Sequence, residues 1–168
     1  MLRPRRQFVL LVALCVLPGC FLARLLPDAR TPAEHAREVA RRCAAFPEDA
    51  LRPLLAPGSV EAVEPAYVYM QSGSATLEAR LRGARLHLRP GPSMSRESLQ
   101  RGLECHQAHV VLGGASPSET DPYVLPGAWL DIDAESEGDG FVVAVRTDDV
   151  RSAKGVLERA RRFVVIRE

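Results

Sequence analysis

Apolar positions fall along this chain in three kinds of pattern: one solid block, stretches of strict alternation, and stretches at helical spacing. After the block, Thr31-Pro32-Ala33-Glu34 reads as a helix start. Thr31 is the N-cap, Pro32 takes the first helical position, and Glu34 closes a capping box. At about 100° per residue, Ala36, Val39, Ala40, Cys43 and Phe46 gather on one side and Arg37, Glu38, Arg41 and Arg42 on the other. Cys43 is therefore expected to face the core. Pro47, Pro53 and Pro57 then leave room only for short turns. Alternation marks strands at 66–71 and 75–91, where Leu77, Ala79 and Leu81 share one phase and Ala84, Leu86 and Leu88 the other. A one-residue slip at Gly83 predicts a β-bulge or a tight turn there.

Helical spacing returns at 95–113. With Leu99 placed at zero, His106 falls at about 340° beside Leu103 and Val110, while His109 (about 280°) and Cys105 (about 240°) flank that stripe. Gln100, Glu104 and Gln107 fall in the polar arc, so Cys105, His106 and His109 are expected to face inward or nearly so. A proline-rich loop at 115–127 follows. Strands at 128–136 and 141–147 flank the hairpin signal Gly138-Asp139-Gly140. Thr147 or Asp148 then caps a last helix in which Val150, Ala153, Leu157, Ala160 and Val164 recur. The order predicts one α+β domain over 31–168: a two-layer sandwich, its sheet antiparallel or mixed, with helices on one face. A strand at 162–168 would make it ferredoxin-like instead.

The solid block changes the picture of where this domain works. Arg3, Arg5 and Arg6 precede an apolar run from Phe8 to Leu17. A spanning helix needs about 20 apolar residues, and this run has about half that. Basic residues before a short apolar run are the pattern of an export signal. Leu17-Pro18-Gly19-Cys20 closes the run and resembles the lipobox of bacterial lipoprotein precursors, with an aliphatic residue three before the cysteine and a small one just before it. The resemblance covers residues 1–20. It implies that signal peptidase II removes 1–19, that Cys20 carries diacylglycerol and an N-linked acyl chain such as palmitate, and that 20–30 is a tether. Two membrane signals already make a stable anchor. The implied location is the cell membrane or the outer membrane, lipid-anchored, with the domain facing the periplasm or the exterior.

Charge now reads differently. Of 22 basic residues, Arg3, Arg5 and Arg6 leave with the signal, so 19 face 21 acidic ones. No basic patch calls for nucleic acid. Of four cysteines, Cys43 and Cys105 remain in the domain. Three readings stay open. In one, Cys43 and Cys105 form a disulfide, as an even pair in an oxidising envelope does. In another, both cysteines stay free buried thiols. In the third, Cys105, His106 and His109 bind zinc or copper, Cys105 and His109 sharing a helix face at i and i+4. Gly102, one turn back, leaves room beside them. It also stands where a c-type haem site needs its first cysteine, and C-x-x-C is absent. Asp131, Asp133 and Glu135 read as a solvated strand face, because Ser136 and Val142 break a calcium loop. No G-x-S-x-G, P-loop or H-E-x-x-H occurs.

Cys105-His106-Gln107-Ala108-His109, Asp121 to Gly127 and Gly140 to Thr147 together resemble uncharacterised exported domains with a C-H-x-x-H or C-H-x-x-R helix. That resemblance brings no known activity. The expectation is a lipid-anchored envelope protein, non-catalytic, with a binding or structural role, the membrane and an envelope protein as partners, and no cofactor beyond its lipid. The alternative is a periplasmic metal-binding protein or metal-dependent hydrolase built on the Cys-His-x-x-His cluster.

Overall fold

The structure is a computed structural model that describes residues 30–43, 46, 48–56, 58–72, 76–89, 94–114, 116 and 118–164. The chain divides into Met1–Arg30 and Thr31–Glu168, and the fold is that of the second unit. The export block, Leu17 to Cys20 and the tether up to residue 29 lie outside the described residues. Among the described residues no helix is long and apolar enough to cross a membrane.

The elements run α1 (Pro32–Ala40), β1 (Val60–Ser72), β2 (Thr76–Leu88), α2 (Arg96–Val111), β3 (Asp131–Glu137), β4 (Gly140–Arg146) and α3 (Val150–Phe163). Two 3-10 turns, Glu48–Ala50 and Arg52–Leu55, follow α1. The strands form one antiparallel sheet in the order β1-β2-β4-β3. Ala84, Leu86 and Leu88 of β2, Ile132 and Ala134 of β3, and Val143 and Val145 of β4 share a core with Leu99 and Leu103 of α2 and Val156, Ala160 and Phe163 of α3. Both helices thus cover one face. This is the expected two-layer α+β sandwich. Because α3 runs through Phe163, Arg162 and Phe163 are helical, and the described sheet consists of two hairpins rather than the ferredoxin-like order. Residues 165–168 of the proposed extra strand lie outside the described residues.

Local chemistry explains the element starts. Thr31 Oγ1 accepts the Glu34 N–H at 3.3 Å, and the Glu34 carboxylate accepts the Thr31 N–H at 2.7 Å. That backbone bond holds the Glu34 carboxyl below its ordinary range. α3 starts later than the sequence suggests. Asp149, not Thr147 or Asp148, is the N-cap and accepts the Ser152 N–H at 2.7 Å. Asp148 is instead engaged by Arg82 at 2.6 Å.

The phase slip at Gly83 is a β-bulge within one continuous strand, with the register stepping between Ala66 and Tyr67 on β1. Gly83 has a φ of 148°, and a Cβ there would lie 2.0 Å from the Val145 carbonyl oxygen of β4. Only glycine lets β4 approach this closely. On the opposite face of the sheet, Arg146 meets Asp131 and Asp133 at 3.3 and 3.5 Å. His87 lies between Glu137 (3.1 Å) and Glu64 (3.8 Å). This is the solvated strand face that the acids predict, and exposed pairs of this kind contribute about 0–1 kcal/mol each.

Gly83→Ala is expected to cost at least about 2 kcal/mol, through a left-handed backbone and a backbone clash together. Urea unfolding measures it. A change below about 0.5 kcal/mol, the range of an ordinary surface substitution, would show that the bulge is not strained against β4.

Candidate functional site

α2 carries the site and is enclosed by its neighbours. Ser95 caps its start by accepting the Ser98 N–H at 3.2 Å. Gly113, at φ 82°, turns the chain at its end, and the Gly114 N–H returns to the His109 carbonyl at 2.9 Å. α1 packs on one side of α2 and β3 on another.

Cys43, in the turn after α1, is bonded to Cys105 of α2, with an S–S distance of 2.05 Å and Cα atoms 5.6 Å apart. Of the three readings left open at Cys105, the structure takes the disulfide. Its sulfur is therefore not available as a thiolate. Nε2 of His106 lies 2.7 Å from Oδ2 of Asp121, so that nitrogen is engaged as well. His109 is exposed at the rim, its ring so close over Gly114 that a Cβ there would lie 2.0 Å from Nε2. The Cys105-His106-His109 set is thus not assembled as metal ligands. Among the described residues no group of three His, Cys, Asp or Glu is placed to hold a metal ion.

What the structure assembles instead is a positioned imidazole beside an apolar groove. Asp121 is only 5% exposed, and its Oδ1 accepts the Tyr123 N–H at 2.9 Å, which locks the loop as an Asx turn. Arg159 of α3 staples that loop. Its Nη1 donates to the carbonyls of Ser118, Asp121 and Val124 at 3.2, 3.4 and 3.3 Å. Arg159 therefore holds the loop, the loop holds Asp121, and Asp121 holds His106. The groove beside His106 is a cavity of about 410 Å³ walled by Phe46, Leu51, Leu55, Cys105 and His109, with Asp49 and Arg52 among its polar lining. A neighbouring cavity of about 350 Å³ shares Phe46, Cys105 and His109 and reaches Ala40, Cys43 and Leu112. Gly102 does leave room beside the cluster, but Phe46 and Leu51 occupy it: a Cβ on Gly102 would lie 2.6 Å from the Phe46 ring and 2.8 Å from Leu51.

Two placements differ from the sequence reading. Gln107, assigned to the polar arc, is buried and donates to the Leu130 carbonyl at 3.2 Å, because β3 and its approach close over that side of α2. His109, expected inward or nearly so, is exposed, because it lies in the last turn of α2 at the open rim of the groove; on α1, the His35 ring stacks on Trp129, centroids 5.5 Å apart and 11° between planes. In the proline-rich loop Asp121, Pro122, Tyr123 and Val124 are all buried. Asp121 and Arg159 are the site residues that sequence reasoning missed. Asp-Pro-Tyr signals an Asx turn, but nothing in the spacing pairs Asp121 with His106.

No family model matches this chain, and no curated protein or solved structure is significantly similar to it. Its own residues therefore carry the functional case.

Two outcomes follow from this geometry. The Cys43–Cys105 bond closes 62 positions of sequence, so replacing both cysteines by serine is expected to cost about 4 kcal/mol. Urea unfolding with and without reductant checks it. A wild type indifferent to reductant would show that the bond does not hold the fold.

Tyr123 is fully buried, packs edge-on against Phe163 with centroids 6.5 Å apart, and its hydroxyl has no hydrogen-bond partner among the described residues. Burial first, then the Asp121 charge, push its phenol up. A raised folded-state pKa leaves stability intact below the unfolded phenol value of about 10 and removes it as pH rises beyond. Tyr123→Phe is expected to abolish that alkaline loss and to be neutral, or stabilising by up to about 1 kcal/mol, at pH 7. Unfolding at both pH values measures it, and a large loss at pH 7 would show a bonded hydroxyl.

Proposed function

We propose that this chain is a lipid-anchored protein of a bacterial cell envelope, and that its domain from Thr31 has a non-catalytic binding role centred on the groove beside Cys43–Cys105. The observation that carries the reading is the disulfide. Once residues 1–19 are removed and Cys20 is acylated, Cys43 and Cys105 are the cysteines left, and they are bonded to each other. Disulfides of this kind persist in oxidising compartments. That is where the arginine-led apolar block and Leu17-Pro18-Gly19-Cys20 would send the domain.

The binding role is supported by the groove itself. Ligand sites are concave, mostly apolar, and furnished with a few fixed polar groups. Phe46, Leu51 and Leu55 supply the apolar wall, and His106, held by Asp121, is the fixed polar group. A nucleophilic role for Cys105 would need a free thiol, and its sulfur is spent.

The test is acyl labelling of the full chain in bacteria fed labelled palmitate. The wild type is expected to take up label and to sediment with membranes, while Cys20→Ser loses both. Cys20→Ser retaining label would overturn the lipoprotein reading. Blocking thiols before reduction, and labelling them after, checks the compartment. Cys43 and Cys105 should react only after reductant is added, and reaction before it would place the domain on the reducing side.

A further inference from the structure

The two edges of the sheet are built to opposite rules. β3, at one edge, carries an acid at every second position: Asp131, Asp133, Glu135 and Glu137. Charges along an edge strand keep a like strand away. β1, at the other edge, has Glu61, Glu64 and Pro65 in its first half and no charged residue from Ala66 to Ser72. Among the described residues β2 is its one ladder partner, and the backbone N–H and C=O groups on its other side are not paired by any of them. Tyr67 and Tyr69 on this stretch are 51% and 67% exposed, and Leu77, across from Gln71 on β2, is 69% exposed. An uncharged, β-prone, exposed edge is a template for another strand.

We propose that Ala66–Ser72 is a self-association edge, to which a second copy of this chain adds its own Ala66–Ser72 antiparallel, joining the two sheets into one. The segment is complementary to itself. Centred on Tyr69, such pairing sets Tyr69 against Tyr69 of the second copy, Val68 against its Met70 and Tyr67 against its Gln71. Aromatic meets aromatic, apolar meets apolar, and no like charges are opposed. Pro65, which has no N–H to donate, and Glu64 end the pairing on one side.

The geometry favours edge pairing over a face-to-face stack of the exposed tyrosines. Tyr67 pairs with Leu81 on β2 and shares its face, and Leu81 packs against the core on the helix side. Stacking through the tyrosines would drive two helix layers into each other. The two-fold axis of an antiparallel pair, by contrast, stands perpendicular to the sheet. Both helix layers, and both α1 starts at Thr31, then lie on the same side. Two chains anchored upstream of Thr31 in one membrane can pair in this way, although the edge argument does not depend on the anchor.

The experiment places a photoreactive phenylalanine analogue at Tyr67 of the full chain in cells, with Glu135 on the acid-laced edge as the comparison position. The expected result is a cross-linked band of twice the monomer mass from position 67 and none from position 135. Tyr69→Lys, which sets two ammonium groups face to face at an exposed site, is expected to lose that band, whereas Tyr69→Phe keeps it. Thermal unfolding of the two variants confirms that the domain stays folded, and a Tyr69→Glu variant, which sets two carboxylates face to face, provides a second break if Tyr69→Lys fails to fold. Equal doubled-mass bands from both positions, a partner of different mass at position 67, or no cross-link there would each overturn the proposal.

Discussion

The Cys43–Cys105 bond is the constraint on which the functional half of this molecule depends. α1 has nine residues, short of the ~12–15 at which an isolated helix begins to hold itself. Of its residues only Ala36 is buried. The covalent link just past its end fixes α1 against α2, and the stack of His35 on Trp129 ties it to the segment that leads into β3. Phe46 and Leu51, three and eight residues beyond Cys43, are then set down on Gly102, where no larger residue would let them approach. The groove wall follows from that sequence of contacts: bond, then turn, then apolar side chains on a glycine.

The other wall is held from the opposite direction. The core between the sheet and α3 fixes Arg159, Arg159 gathers three loop carbonyls, and the loop delivers Asp121 to His106. One wall is tied covalently and the other by charge-assisted hydrogen bonds, so each can be loosened without the other. The sheet does not close on itself, so among the described residues β1 and β3 are its edges. The chain guards one with acids and leaves half of the other uncharged.

Much of the fold was legible because it is written in local patterns. The capping box at Thr31, the bulge at Gly83, the hairpin at Gly138 and the inward side of α3 from Ala153 onward each depend on residues close in sequence, whereas Val150, expected on that side, is 41% exposed at the helix start. The pairing of Cys43 with Cys105 was legible as one of three readings, since both cysteines were expected inward on their own helices. The rest depends on contacts between distant segments. Gln107 is buried because β3's approach covers it. Asp121 reaches His106 only because the loop folds inward over α2, and Arg159 matters only once that loop is there. A helical wheel treats a helix as having one buried side, whereas α2 is covered on several. The start of α3 slipped to Asp149 because Arg82, 66 residues earlier in the chain, engages Asp148.

The most direct test of this account is the intact mass of the mature protein recovered from the envelope, taken denatured before and after reduction. The account predicts that reduction adds two hydrogens, no more and no fewer, and that the acyl mass resides on the N-terminal peptide beginning at Cys20. A chain already at full reduced mass, with Cys43 and Cys105 as free thiols, would contradict it, because the bond that positions α1 and builds the groove would not exist in the working protein.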